Sequence, residues 1–297
     1  MVQFDGLRPA RLKVGVISAG RVGTALGVAL ERADHVVVAC SAISEESRDR
    51  ARQWLADTPV LPAHDVAAHA ELLLLAVPDT ELAAIVSGLA ATGAVRPGAI
   101  VVHTSGVNGV GVLAPLTAQG CLPLAIHPAM TFTDTGTDID RLAESRFGIT
   151  AADEIGYTIA ESLTLEIGAE PFRVDEGART LYHAALCHGG NHIVTVIADA
   201  LEALRAALPG QFGVDDPDGI AERVLGPLVR AAVENTLRDG RSALTGPVAR
   251  GDSATIGGHR AALAAVDPGL AEAYRSTALR TAQCADAPDD VLTVLAR

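Results

Sequence analysis

Two histidines stand where short apolar runs stop, His103 after residues 99–102 and His127 after residues 121–126. Imidazole exchanges a proton near neutrality, which suits hydride chemistry on a carbonyl, where the developing alkoxide must be protonated. Ser105 and Asn191 can hydrogen-bond the same oxygen. His183, Cys187 and Asn191 recur at i, i+4 and i+8, one face of a helix if residues 178–208 form a single one. His127 is the first choice as proton donor, because the following Pro128 biases its backbone toward extended geometry. Ser105, His183, Asn191 and His103 complete the candidate catalytic set.

Hydride chemistry needs a carrier, and the stretch Ser18, Ala19, Gly20, Arg21, Val22, Gly23 is placed to hold one. It lies between an apolar run, 14–17, and a helix-like segment, 22–31, the order that opens a dinucleotide-binding βαβ unit. Gly20 would let the backbone approach a pyrophosphate, and Gly23 would let helix and strand pack closely. The phosphates would sit at the helix N-terminus, where free N–H groups favour an anion. Ser18 occupies the place of the first glycine of G-x-G-x-x-G. The second strand, 35–39, ends without the acid that usually holds the ribose 2′-hydroxyl of NAD. Ser41, Ser44 and Arg48 stand there instead, so NADP is expected in preference to NAD. A cap on the helix starting near Glu45 is an equally good reading of the two serines, and compatible with the first. Val77, Pro78 and Asp79, at the end of the pure apolar strand 71–77, would run beside the dinucleotide.

These sites need an open α/β sheet. Alternation of apolar strands and helical segments through residue 174 predicts a doubly wound parallel Rossmann sheet, residues 1–174, after a loose lead-in over 1–11. From 175 to 297 only helical patterning remains, broken at Pro209-Gly210, 215–219, Gly246-Pro247 and 267–269, which predicts an all-α domain for substrate and dimerisation. The fold class is thus α/β, with an all-α C-terminal domain.

Length and composition set further bounds. The chain has 297 residues, ample for two domains, is 49% hydrophobic but only 3% aromatic, and carries a net charge of −13. That charge argues against nucleic acid or an anionic membrane as partner. No apolar run is long enough to span a bilayer and no secretory leader is visible, so a cytoplasmic location is expected, with its four scattered cysteines as free thiols. Lys13 is the only lysine and opens the first strand, at the wrong end of the sheet for catalysis. His188 and His192 are spaced i, i+4, but the glutamate of H-E-x-x-H is missing, so no metal is expected. Arg250-Gly251-Asp252-Ser253 reads as a surface turn with a helix cap, or as a polar segment facing a cleft or partner subunit.

Five strings carry a family resemblance: Val16 to Gly23, His103-Thr104-Ser105-Gly106, His127-Pro128, Tyr182-His183-Ala184-Ala185 and Ala243 to Asp252. With them the chain resembles the Rossmann-like proteins with a helical C-terminal domain of unknown function (DUF 2520), in the 6-phosphogluconate-dehydrogenase-like superfamily. The resemblance implies a nicotinamide-binding oxidoreductase. Two departures matter. Asn191 matches an asparagine of the β-hydroxyacid dehydrogenases, but Cys187 holds the place of their lysine. Ser105 and His127-Pro128 match prephenate dehydrogenase, yet the glycine beyond its His-Pro is absent. Ketopantoate reductase has a substrate-contacting polar stretch near the position of Arg250 to Ser253.

The expected function is an NADP-dependent oxidoreductase moving hydride to or from a small polar carbonyl or hydroxy compound, carboxylates included. A nucleotide-binding regulator without turnover is the alternative, motivated by Ser18 and the missing lysine; a prephenate-type dehydrogenase is a third. Expected partners are a small-molecule substrate and a second copy of the chain, joined through the Ala-, Leu- and Val-rich helices.

Overall fold

The computed structural model describes residues 11–134, 136–208 and 219–296. The expected lead-in and the breaks at Pro209-Gly210 and 215–219 lie outside these residues, save Arg11 and Gly219. The chain forms two compact units that divide between Gly189 and Gly190, later than the expected 174/175 boundary.

The first unit runs β1 (Lys13–Ile17), α1 (Arg21–Arg32), β2 (Val36–Cys40), α2 (Glu45–Trp54), α3 (Ala63–His69), β3 (Leu72–Leu75), α4 (Asp79–Thr92) and β4 (Ile100–His103). It continues through α5 (Ala114–Thr117), β5 (Leu122–Pro128), α6 (Gly136–Leu142), β6 (Arg146–Ala151), α7 (Glu154–Glu166), β7 (Glu170–Arg173) and α8 (Arg179–Gly189). The strands form one sheet in the order β2-β1-β3-β4-β5-β6-β7. Neighbours from β2 to β5 are parallel, and the four leucines of β3 are 0–2% exposed. Burying each such side chain contributes about 1.5–3 kcal/mol, which explains an apolar run without alternation. The chain goes out from β1 to β2 and then back across to β3. The carboxyl ends of β1 and β3 therefore flank a switch point, the usual ligand crevice of such sheets.

The sheet departs from the all-parallel expectation at one place. β6 is antiparallel to β5, with Pro128 opposite Phe147 and His127 opposite Gly148. The link from 129 to 145 reaches α1 and α2 instead of crossing the sheet: Asp134 takes a bidentate ion pair from Arg50, and Asp140 pairs with Arg32. It then returns to the edge it left, where Ala129 N–H bonds the Arg146 carbonyl, so the next strand must run backwards. This reversal puts the start of β6 beside the end of β5.

The second unit is helical throughout its described residues: α9 (Asn191–Ala207), α10 (Ile220–Asp239), α11 (Gly246–Arg250), α12 (Ser253–Val266), α13 (Pro268–Cys284) and α14 (Asp289–Ala296). Val248, Ile256, Ala278, Ala282, Val291 and Leu295 make its core. Asp252 caps α12, accepting from Thr255 N–H at 3.0 Å. The single helix expected over 178–208 is two, broken where paired glycines cost most in a helix interior. His183 and Cys187 share a face of α8, and Asn191 opens a separate helix in the other unit. No helix among the described residues is long and apolar enough to cross a membrane. Nor is any group of three His, Cys, Asp or Glu side chains among them placed to hold a metal.

Candidate active site

The turn after β1 leads into a helix start with no side-chain cap. Ser18 adopts a left-handed backbone (φ 74°), the conformation that favours glycine at the first position of the fingerprint. Contacts with the end of β2 hold it there: Ser18 N–H bonds Ser41 Oγ at 3.0 Å, Ala19 N–H bonds the Ser41 carbonyl at 2.7 Å, and Ser41 N–H bonds the Val16 carbonyl at 2.8 Å. Gly20 caps α1 with no side-chain hydrogen bond and no acid stands in the first turn, while the Arg21 charge acts on Asp134, with which it lines a small pocket. Gly23 permits the close approach expected of it, since a Cβ there would collide with the Ser18 carbonyl. Val77 and Pro78 lead from β3 into α4, whose first residue is Asp79, across the switch point from this turn.

The three residues expected near a 2′-phosphate are differently employed. Ser41 is buried and braces the turn, and Ser44 caps α2 by accepting from Ser47 N–H at 3.2 Å. Arg48 is exposed, 3.6 Å from Glu45. β2 ends in Cys40, whose thiol burial pushes up to about 11, so no acid closes the strand end to a phosphate. These features fit a dinucleotide held by residues 18–23.

On the same edge of the sheet, the ends of β4 and β5 carry the histidines. His103 is wholly buried; its Nε2–H donates to the Gly109 carbonyl at 2.9 Å, and its Nδ1 accepts from Ser105 N–H at 3.2 Å. Burial holds its pKa down to about 4, against the pull of the Gly109 carbonyl. Both ring nitrogens shape the loop, so His103 supports the site from beneath. Ser105 Oγ likewise accepts from the backbone N–H and side-chain amide of Asn108, at 3.0 and 2.9 Å. Glu176 completes the loop by accepting from Val110 N–H and Gly111 N–H at 2.8 and 2.9 Å.

His127 sits among groups from three elements. Its Nδ1 lies 2.8 Å from Tyr182 Oη, and its ring meets those of Tyr182 and His183 edge-on, with centroids 5.5 and 5.9 Å apart. Two glycines make the cluster possible. A Cβ on Gly148, opposite His127 on β6, would lie 2.7 Å from Tyr182 Oη; one on Gly106 would strike His183 Cδ2 and come within 3.0 Å of His127 Nε2. Burial, aided by the charge of Arg179 and by His183, pushes the His127 pKa down to about 4, so the ring is neutral near pH 7. His183 Nε2 lies 3.6 Å from Cys187 Sγ.

Arg179 locks these pieces together. It is 1% exposed, and its guanidinium donates to the carbonyls of Asn108, Ser105 and Gly148 at 2.9, 3.0 and 3.2 Å. The structure thus brings Ser105, His127 and His183 to one sheet edge, with His103 below, and places Asn191 in the other unit. Tyr182, Arg179 and Gly148 are absent from the sequence-based set. The spacing 179, 182, 183 is that of one helical face and links two of them to His183.

The model of a Rossmann-like domain matches residues 2–128, and that of a domain of unknown function, DUF2520, matches residues 145–281. No match to a curated protein was found. Among solved structures, a Bacteroides fragilis protein provisionally named an NADP oxidoreductase is 23% identical with a TM-score of 0.74, covering 92% of this chain and 98% of its own. A Thermotoga maritima protein is 21% identical with a TM-score of 0.62 over the same shares. A reductive aminase from Aspergillus terreus, solved with NADPH4, cyclohexanone and allyl amine, is 14% identical with a TM-score of 0.62, covering 97% and 100%. At these identities the likeness is one of fold.

Proposed function

For this chain, which joins a Rossmann-like domain to a DUF2520 domain, we propose an NADP-dependent oxidoreductase acting on a small polar carbonyl or hydroxy compound. The observation that carries the reading is His127, held by Tyr182 at the carboxyl end of β5. It lies on the sheet edge that also carries the open, uncapped dinucleotide turn. Residues 18–23 would hold the pyrophosphate, with Val77, Pro78 and Asp79 alongside. When bound, NADPH supplies the hydride. His127 holds the proton for the substrate oxygen, and the loop from Ser105 to Asn108 sets the position of the site wall. The oxidoreductase names among the structural neighbours support the same class.

The acid-free end of β2 supports a preference for the 2′-phosphate. NADPH is expected to bind at least about tenfold more tightly than NADH, about 1.4 kcal/mol. Calorimetry with each nucleotide measures this directly, and equal affinities remove the NADP assignment. Loss of nicotinamide absorbance with a panel of small oxo acids tests turnover. Tight binding with no oxidation across that panel instead favours the regulator, a reading that the strained Ser18 and the missing lysine also support.

A second copy of the chain is the proposed partner. Within its own unit α9 buries no residue and α10 only Ala221, while Val194, Val196, Val224, Leu228 and Leu237 are 51–83% exposed. An apolar cavity of about 750 Å³ lies among α9, α10, α12 and α13. Exposed apolar surface on this scale marks an interface, and a homodimeric mass by light scattering at micromolar concentration is expected. A monomeric mass overturns the dimer.

A further inference from the structure

His127 poses a problem of supply. A neutral imidazole is a weak acid, and reducing a carbonyl needs a proton delivered as the alkoxide forms. The chain has no catalytic lysine to deliver it, since its only lysine opens β1. The structure places a second proton-bearing group directly behind the ring, with Tyr182 Oη 2.8 Å from His127 Nδ1.

We infer that Tyr182 and His127 form a two-step proton relay, in which Tyr182 O–H donates to Nδ1 and His127 presents its Nε2 proton to the substrate oxygen. The inference rests on the oxidoreductase reading above. The carbonyl carbon gains the hydride supplied by the reduced nicotinamide, and its oxygen takes the Nε2 proton. Nδ1 takes the phenol proton at the same time, so the imidazole changes tautomer and never carries a net charge. The resting state returns when Nε2 takes one proton from water and Nδ1 gives its proton back to the Tyr182 phenolate through the same hydrogen bond.

Four features support this assignment. Gly148 has no side chain, which lets the Tyr182 hydroxyl lie over β6 and reach the ring on the facing strand. Gly106 leaves the Nε2 side of the ring without a Cβ against it. The Arg179 guanidinium lies 5.8 Å from the Tyr182 ring centroid, a fixed positive charge beside a transient phenolate. Burial holds the phenol above its usual pKa, so its proton is in place at rest, while Arg179 opposes that rise. The other charged or titratable groups acting on the ring are His183 and His103, which disfavour a charged imidazole, and Asp79, which favours one. A relay that keeps His127 neutral suits that balance.

The first test needs neither substrate nor variant. In the cofactor-free full chain with ¹⁵N-labelled histidine, His127 is expected as the Nε2–H tautomer at pH 7, with an unprotonated, hydrogen-bonded Nδ1. An Nδ1–H tautomer means Tyr182 accepts rather than donates, and overturns the relay. The second test is Tyr182→Phe, which keeps the ring and its edge contacts. It is expected to lower carbonyl reduction about 100-fold at unchanged cofactor affinity, and to erase the hydrogen-bonded Nδ1 signal. Wild-type turnover by Y182F overturns the relay alone. Absence of NADPH-dependent carbonyl reduction by the wild type overturns the oxidoreductase reading, and the relay with it.

Discussion

Replacing His127 with asparagine is expected to leave NADPH affinity unchanged and to lower turnover of a carbonyl substrate by about 100-fold or more, the usual scale of general acid–base catalysis. Asparagine keeps a polar group near Tyr182 but carries no exchangeable proton at the Nε2 position. The nucleotide turn is built from Ser18, Gly20 and Ser41 on other elements, which is why binding should survive. Steady-state kinetics with calorimetry of the same variant separate the two effects. Wild-type turnover by His127→Asn removes His127 from the reaction and leaves His183 as the candidate, because both ring nitrogens of His103 are engaged within its own loop.

Acid should destabilise this protein earlier than carboxylate titration alone would. Burial lowers both His103 and His127 to about 4, below the ordinary histidine value of 6.5. A group whose folded-state pKa is depressed contributes stability that is complete above its unfolded pKa and lost as the pH falls through the folded one. The window is therefore pH 6.5 to 4. Between pH 6.5 and 5 each histidine should cost roughly 1.5 kcal/mol, with the two not strictly additive because His103 acts on His127. Protonating His103 also breaks its acceptor bond from Ser105 N–H, so the loop should loosen first. Urea unfolding midpoints at intervals across that range measure the effect. A flat midpoint from pH 6.5 to 5 contradicts it.

The strand, turn and helix over residues 13–32 were legible in the sequence because their rules are local. A strand, a turn of small residues and a helix follow one another within a dozen positions, and the structure places Ser18, Gly20 and Gly23 as that pattern requires. The histidine half was legible only in part. His127 and Ser105 end strands, which an apolar run reveals. Tyr182 and Gly148 meet because β6 is antiparallel to β5, and strand direction leaves no local mark on an apolar run. Arg179 bonds only backbone carbonyls, so no partner side chain could have pointed to it. Helical spacing, together with the match to an asparagine of the β-hydroxyacid dehydrogenases, suggested Asn191 as a companion of His183; the glycine pair between them ended the helix instead.

The three carbonyls gathered by Arg179 also order events during folding. They lie 71, 74 and 31 residues before it in the chain. Closing loops of that length is slow and entropically unfavourable until the contacts that reward it can form. The early strands can pair while the chain is still incomplete, but two carbonyls of the loop from Ser105 to Asn108 and one of β6 wait on a single late side chain. A chain arrested before α8 would own the early strands and the turn after β1, yet lack the clasp that ties the Ser105–Asn108 loop to β6 beside His127.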